Sequence, residues 1–321
     1  MVGSSVMERE PDLIPDLSHL NGQLTKITLN EDINLKNIRN YQKIIKVLID
    51  RRVPKDAVLI GMGPVSVMDL AGFVASTYRG GIKLISVPMT PLAQISRSVG
   101  GIYGLNFSNS TNTIAVRYFP VEVYLDSVAF ERADREEVKD FIVELMRLGA
   151  IKDFSILNML ESYGDFDVLR RYENVRRLTV KALNVAPLLN SLKNDEVDPN
   201  AFGNTLGATL FQICKNPVRY YRVMALSMIL ESFIADRSGI KTREVMEKLR
   251  KIIDMYSLNG VRLRDIGQEN LLRSLRESYP GDAGFPVSIP WITGESGMLS
   301  ISFDRVFSAM RNYIETYEFS T

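Results

Sequence analysis

Two patterns of hydrophobic spacing divide the chain. In the first, short apolar runs at residues 57–60 and 83–88 bracket a stretch of helical spacing at residues 67–78. Short unbroken apolar runs are typical of buried parallel strands, and the order strand, helix, strand predicts a βαβ unit in a parallel sheet. Before this unit, residues 35–52 predict a helix, and residues 23–29 alternate as a short strand does.

The second pattern begins after Asp126 and is helical. Leu- and Met-rich segments separated by short polar turns predict helices at residues 135–151, 154–161, 168–192, 204–214, 218–234, 242–256 and 269–278. Pro187 is expected to kink or split the third of these helices. Two strands at residues 286–292 and 298–302 and a helix at residues 304–317 follow. The pattern therefore predicts an α/β domain at residues 1–126 and a mostly helical domain with a small β-hairpin at residues 127–321.

Composition removes several classes of function. The chain has 39 Lys and Arg against 38 Asp and Glu, and a net charge of +1 argues against nucleic-acid binding. It has no apolar run long enough to span a membrane and no hydrophobic signal core near residue 1, so we expect a cytoplasmic protein with no membrane partner. Cys214 and His19 are each the single residue of their type. This excludes a disulfide framework, a cysteine metal cluster and every site that needs two histidines.

Several motifs after the first apolar run are recognisable. Residues 61–63 (GMG) precede residues 69–78 (DLAGFVASTY), and residues 87–94 (VPMTPLAQ) precede residues 98–101 (SVGG). In order and spacing these motifs resemble the dehydroquinate synthase family. Three further segments resemble that family more weakly, at residues 143–147, 202–207 and 289–297.

The resemblance implies a dehydroquinate synthase-like fold, in which a Rossmann-type parallel-sheet domain and a helical domain enclose a cleft. Members of the family use NAD and zinc to oxidise a seven-carbon sugar phosphate, eliminate its phosphate, reduce it again and close a ring. They usually form homodimers. The matching positions in this chain, which we interpret as vestigial, are Gly61, Gly63, Asp69 and Thr90 for the cofactor, Lys36 and Asn112 for the substrate, and Glu144 and Arg147 for catalysis.

The zinc site of the family is the first departure. One glutamate and two histidines hold the zinc there, and the chain keeps only the glutamate, as Glu144. The histidine positions fall on Asn204 and on Tyr220 or its neighbour, and a third family histidine falls on Ala208. A catalytic zinc needs about three nitrogen, oxygen or sulfur ligands from the protein. We therefore expect no metal-binding residues and no zinc.

The charged residues that handle the substrate phosphate are also missing. Two family lysines fall on Ile102 and Thr111, and a family aspartate falls on Ser96. Arg147 replaces a lysine, and residues 281–284 (GDAG) replace a pair of basic residues. A phosphate group needs several such donors, so their joint loss indicates relaxed catalytic demand.

The positions that bind the cofactor in the family also differ in this chain. Only a short segment precedes Lys36, with room for one strand rather than a full βαβ half, and a family glutamate falls on Ile33. Met62 and Pro64 stand in the glycine loop, where a pyrophosphate needs close approach of the backbone and its N–H groups. We expect no cofactor, or at most weak NAD binding.

Three motifs also have plain structural interpretations. The two glycines at 61 and 63 suit any tight strand-to-helix turn. Residues 106–112 could hold a ligand phosphate, but such Asn- and Ser-rich stretches are more often surface turns. Glu144 and Arg147 are spaced i, i+3 and form either a remnant acid–base pair or, as we favour, an ion pair on a helix surface.

Three functions remain open at this level. We favour a dehydroquinate synthase-like pseudoenzyme with a binding, regulatory or scaffolding role. The alternatives are an active 3-dehydroquinate synthase or related sugar-phosphate cyclase with an altered, metal-independent site, and a sensor that binds a small molecule in the old cleft. We expect a homodimer formed through the α/β domain, where the short N-terminal segment leaves a sheet edge uncovered. The expected partners beyond the dimer are a protein or a small-molecule ligand in the old cleft.

Overall fold

The computed structural model describes residues 1–9, 24–31, 35–96, 98–107, 110–126, 128–191, 201–214, 219–279, 284–290 and 297–318. His19, Ile33 and the run at 281–283 lie outside this part of the chain. The fold divides into two compact units, Met1–Ala133 and Asp134–Thr321. The last residues of the first unit include a short helix, α5 (Val128–Arg132), which follows the predicted end of the α/β domain at Asp126.

In the part of the chain that the structure describes, the first unit is built around a parallel sheet of five strands. Its strands are β1 (Val2–Gly3), β2 (Thr28–Leu29), β3 (Val58–Gly63), β4 (Lys83–Pro88) and β7 (Glu122–Val123), and their order across the sheet is β2-β1-β3-β4-β7. Besides α5, the α-helices described in this unit are α1 (Ser4–Arg9), α2 (Ile38–Asp50), α3 (Val65–Thr77) and α4 (Pro91–Ile95). The central pair, β3 and β4, is in register from Val58 opposite Lys83 to Gly63 opposite Pro88. The predicted βαβ unit is thus confirmed.

Besides the short elements α4, α5 and β7, two further features of this unit were not predicted. The first residues form β1 and α1, and β1 pairs in parallel with both β2 and β3. The prediction of one strand before Lys36 was therefore wrong, because strands of two residues leave no periodic signal. The second feature is an antiparallel hairpin of β5 (Ile102–Phe107) and β6 (Ser110–Arg117). It contains most of the stretch that we interpreted as a surface turn.

Helices make up most of the second unit. They are α6 (Arg135–Ile151), α7 (Ser155–Tyr163), α8 (Phe166–Leu169), α9 (Tyr172–Ser191), α10 (Asn204–Ile213), α11 (Tyr220–Arg237), α12 (Arg243–Met255), α13 (Leu263–Ile266), α14 (Gln268–Ser278) and α15 (Phe303–Tyr313). Strands β8 (Phe285–Ile289) and β9 (Gly297–Ile301) form the predicted antiparallel hairpin. The break in the third predicted helix falls between α8 and α9, at residues 170–171, and α9 continues through Pro187. The prediction that Pro187 splits this helix was wrong, and the prediction of a kink there stays a prediction.

Burial identifies the central helices of this unit. On α6 every residue from Phe141 to Ile151 is buried, and on α11 the same holds from Val223 to Ala235. A helix that is apolar on all sides belongs to the interior of a helical domain. No helix in the described part of the chain is long and apolar enough to cross a membrane. The predicted class, an α/β unit with a mostly helical unit, is confirmed.

Candidate functional site

Three of the predicted site residues meet in the first unit. Lys36 donates from Nζ to Asp69 Oδ2 at 2.5 Å and to Asn112 Oδ1 at 2.6 Å. Asp69 lies near the beginning of α3 and is fully buried, whereas the Lys36 side chain is 16% exposed. A buried carboxylate requires a compensating charge, and Lys36 supplies it. The sequence did not predict that these three residues contact each other.

The hairpin holds this cluster in place. Asn106 on β5 donates its backbone N–H to the carbonyl of Lys36 at 2.7 Å, and its side chain accepts the backbone N–H of Asn112 at 3.0 Å. Asn112 has a φ of +55°, in the left-handed region that asparagine tolerates. Within the described residues the interpretation of this stretch as a surface turn was therefore wrong, because its two asparagines are fixed around Lys36.

Helix packing accounts for the glycine loop. A Cβ at Gly61 would lie 2.8 Å from the Cβ of Ala71, and one at Gly63 would lie 3.0 Å from Val67. Both neighbours belong to α3, so the two glycines let α3 pack closely on β3. Met62 is buried against Val2. These glycines are thus required by the fold whether or not a phosphate binds.

Side-chain oxygens already accept backbone N–H groups at the beginnings of α1 and α4, where a phosphate could otherwise bind. Thr90 is the N-cap of α4 and accepts the backbone N–H of Ala93 at 3.3 Å. The Glu31 carboxylate lies at the beginning of α1, where it accepts the backbone N–H of Ser5 at 3.2 Å and the Ser5 hydroxyl at 2.7 Å. Pro64 is the N-cap residue of α3 and has no N–H to donate. A pyrophosphate needs free donors at such positions, and a carboxylate there repels it. The residues present therefore fit this part of NAD poorly.

In the second unit, the predicted catalytic residues Glu144 and Arg147 contact each other and form what we call the Glu144 centre. Arg147 donates from Nε to Glu144 Oε2 at 3.0 Å and from Nη2 to Glu144 Oε1 at 2.7 Å. Each residue is only 5% exposed. The favoured interpretation as a surface ion pair was therefore wrong, because α6 is buried on all sides here. The spacing predicted the contact between the two side chains and gave no information about its burial.

Tyr220 completes this centre. Its hydroxyl donates to Glu144 Oε2 at 3.0 Å. Burial and the neighbouring Glu144 carboxylate raise the pKa of Tyr220 well above its usual value, so the phenol stays protonated. Tyr220 is the first residue of α11, which Asp140 of α6 holds by accepting the backbone N–H of Tyr221 at 2.9 Å.

Two of the positions at which the resemblance places family histidines, Asn204 and Ala208, lie on α10. Asn204, Ala208 and Phe211 are spaced i, i+4, i+7 and so share one face of that helix. The Phe211 ring stacks on Tyr220, with centroids 6.3 Å apart and planes 16° apart. In the described residues no group of three or more His, Cys, Asp or Glu side chains could hold a metal ion. Since Glu144 is also engaged through both oxygens, the residues of this centre do not fit a zinc ion.

Sequence reasoning missed another buried carboxylate in the second unit, Glu231 on α11. It is fully buried and accepts the backbone N–H groups of Gly203 at 2.7 Å and Leu206 at 3.0 Å, and the Thr205 hydroxyl at 2.9 Å. These donors lie at the beginning of α10, where an anion is favoured. One signal was available, because Glu231 is the only charged residue in the otherwise apolar and small-residue run at residues 223–235.

Glu231 predicts a pH dependence of stability. Burial raises its pKa from 4.5 to about 7, so the folded protein binds this proton more tightly than the unfolded chain does. The resulting stabilisation is fully present below the unfolded pKa and is lost as the pH rises through the folded pKa. Glu231→Gln removes this titration. Between about pH 4.5 and 7.5 the free energy of unfolding of the unaltered protein should fall by on the order of 3 kcal/mol relative to that of the variant. Urea titrations across this range that run parallel for the two proteins would contradict the assignment.

Comparison with proteins of known sequence gives consistent matches. Residues 26–140 match the family described as 3-dehydroquinate synthase N-terminal. The 3-dehydroquinate synthase of Thermoplasma volcanium is 32% identical over 285 residues, which cover 85% of this chain and 76% of the relative. The 3-dehydroquinate synthase of Picrophilus torridus is 26% identical over 81% of this chain and 76% of its own length.

Solved structures show the same fold. The 2-epi-5-epi-valiolone synthase of Streptomyces hygroscopicus subsp. jinggangensis, solved with NAD+ and Zn2+ bound, superposes with a TM-score of 0.79 at 16% identity, covering 98% of this chain and 89% of that one. A 2-deoxy-scyllo-inosose synthase complexed with carbaglucose-6-phosphate, NAD+ and Co2+ gives a TM-score of 0.78 at 14% identity, with coverages of 97% and 89%. The expected fold family is thereby confirmed.

Proposed function

The chain belongs to the dehydroquinate synthase family, and from that premise we propose that it is a degenerate member without catalytic activity, kept for a binding, regulatory or scaffolding role. The observation that carries the proposal is the centre at Glu144. Its carboxylate is occupied by Arg147 and Tyr220, and the histidine positions on α10 hold Asn204 and Ala208.

The chemistry of this centre supports the proposal. A catalytic zinc is held by about three ligands and keeps one position open for water or substrate. Among Glu144, Arg147, Tyr220, Asn204 and Ala208, which the structure describes, only Glu144 has a good zinc-binding side chain. Tyr220 remains a protonated phenol, and a neutral phenol is a poor ligand. Without a metal ion, an intermediate with negative charge on oxygen loses its main source of stabilisation.

Contacts in the first unit support the proposal that the chain has lost cofactor and phosphate binding. Lys36 and Asp69 neutralise each other, and the Glu31 carboxylate lies at the beginning of α1. On the hairpin, Ile102 and Thr111 stand where the family resemblance places lysines. An apolar residue and a hydroxyl supply little attraction for a phosphate group that carries roughly two negative charges. NAD is therefore expected to bind weakly or not at all.

The retained residues indicate what the fold is kept for. Gly61, Gly63 and Thr90 support packing and capping in the first unit, and they persist where charged residues have been replaced. Such a pattern favours a protein that must fold without turning over a substrate. We also propose that the protein forms a homodimer through the α/β unit. Its ligand would be a protein partner or a small molecule. Light scattering at micromolar concentration gives the dimer mass directly, and a monomer mass would remove that part of the proposal.

Direct binding measurements test the proposal. Calorimetry with zinc and with NAD should show no zinc binding and a dissociation constant for NAD weaker than micromolar, equivalent to less than about 8 kcal/mol of binding free energy. The Thermoplasma volcanium relative, measured in parallel, is the matched control. One equivalent of zinc per chain together with micromolar NAD binding would contradict the proposal. NAD binding without zinc would favour the alternative, an enzyme of this fold with a metal-independent site.

A further inference from the structure

We propose that the Arg147 guanidinium is the permanent cation of the Glu144 centre, and that with Tyr220 it closes this centre to a metal ion and fastens α6 to α11. The inference rests on the proposed function and deepens it, because it assigns the loss of metal binding to a specific replacement. Three observations on the second unit carry it.

The first observation is the geometry of the carboxylate. Arg147 approaches both oxygens of Glu144 with two N–H groups, at 3.0 and 2.7 Å. A guanidinium matches the fork of a carboxylate in this bidentate arrangement, which is stronger and more directional than a single contact. Together with the Tyr220 hydroxyl, these donors occupy three of the roughly four lone-pair positions of the carboxylate. A metal ion bound to Glu144 would also lie beside the positive charge of Arg147, which repels it.

The second observation is the balance of charge. Glu144 and Arg147 are each 5% exposed, and a buried carboxylate is strongly destabilising unless a positive charge compensates it. A guanidinium does not lose its proton in proteins, so Arg147 provides this charge at every pH at which the protein is folded. Unlike a bound metal ion, it cannot be removed by a chelator. It also offers no empty coordination position to a substrate oxygen.

The third observation is the connection between helices. Tyr220, at the beginning of α11, donates to the same Glu144 oxygen as Arg147 Nε, so one carboxylate joins α6 to α11. The ring of Tyr220 stacks on the Phe211 ring of α10. An aromatic contact therefore stands on the α10 face that carries Asn204. Restoring histidines at 204 and 220 alone would leave the guanidinium of Arg147 in place.

Zinc titration of two variants tests this directly. The two-histidine variant, Asn204→His with Tyr220→His, keeps Arg147, and the three-residue variant adds Arg147→Met. Bound zinc is measured by elemental analysis after incubation and desalting. The two-histidine variant should hold no zinc, whereas the three-residue variant should hold about one equivalent per chain and melt at a higher temperature with zinc than without it. Stoichiometric zinc on the two-histidine variant would overturn the inference.

A second measurement covers the case in which the three-residue variant does not fold. Arg147→Met alone leaves Glu144 buried without a partner charge, and its melting temperature should fall by on the order of 10 °C. Arg147→Met combined with Glu144→Gln removes that charge and should recover more than half of the loss. A melting temperature for Arg147→Met within about 2 °C of the original, on the same scale, would overturn the inference. Phosphate release by the unaltered protein would contradict only the proposed function, because the zinc and stability results do not depend on activity.

Discussion

Supplied with the seven-carbon sugar phosphate of the family reaction, NAD and zinc, the protein is expected to release phosphate at least about 10⁴-fold more slowly than a working dehydroquinate synthase. Loss of one acid–base group costs about 10²–10⁴ in rate, and loss of a metal Lewis acid costs several kcal/mol more. The family resemblance places histidines at Asn204, at Ala208 and at Tyr220 or its neighbour, and lysines at Ile102 and Thr111, and the chain has none of these groups there.

These losses need not add, because groups that act as a unit are not independent. Glu144 cannot replace them, since its carboxylate is bound by Arg147 and Tyr220. The assay follows inorganic phosphate with time, and the Thermoplasma volcanium relative, 32% identical to this chain, is the positive control. Turnover near about 1 per second, within the ordinary range of enzymes, would establish the altered enzyme in place of the pseudoenzyme.

The sequence predicted the elements with a strong apolar pattern and missed most of the short ones. The parallel pair β3 and β4 was predicted from unbroken apolar runs, and the long helices of the second unit were predicted from the helical spacing of their apolar residues. Strand β1 has two residues and β5 contains Gly104 and Asn106, so neither shows a clear apolar alternation. Strand β6 does alternate, with Ile114 and Val116 packed against the core, and this signal was missed. Whether short segments such as β1 form strands depends on their pairing with strands distant in the sequence. The hydrophobic pattern of a single sequence does not show that pairing.

The residues of the candidate site were proposed from the family resemblance, and their arrangement was not predicted. The family resemblance identified Lys36, Asp69 and Asn112, but a cluster that joins residues 33 and 76 positions apart cannot be inferred from spacing. The buried pair Glu144 and Arg147 is different, because its burial had a signal in the sequence. The run from Phe141 to Ile151 is apolar on all sides apart from these two residues, which predicts a central helix rather than a surface one.

The other large effect is expected at Gly72 in α3, the residue on which the hairpin packs. A Cβ at this position would lie 2.2 Å from Cδ1 of Tyr103, whose ring is fully buried on β5. Real side chains do not tolerate such a distance, so the ring and its strand would have to move. Gly72→Ala should therefore lower the free energy of unfolding by about 3 kcal/mol or more, at the upper end of overpacking effects.

A matched glycine and a second-site change isolate the cause. Gly207 is also a buried helical glycine, but the nearest atom to its Cβ would be Met224 Sδ at 3.2 Å, at the flexible end of a side chain. Gly207→Ala should change stability little, because methionine adapts to small changes in volume. In the background of Tyr103→Ala the ring is gone, and Gly72→Ala should become stabilising by up to about 1 kcal/mol, the helix preference of alanine over glycine.

This reversal of sign separates steric conflict from a general intolerance of substitution in α3. Urea denaturation of the single and double variants gives the four free energies, and the coupling between the two sites should exceed about 3 kcal/mol. If Gly72→Ala is equally harmful with and without the Tyr103 ring, the close packing of the hairpin on α3 is not what requires glycine here. The hairpin carries Asn106 and Asn112, which fix Lys36 beside Asp69. A variant that displaces Tyr103 should therefore also expose the Asp69 carboxylate, measurable as faster hydrogen exchange of the amides at the beginning of α3.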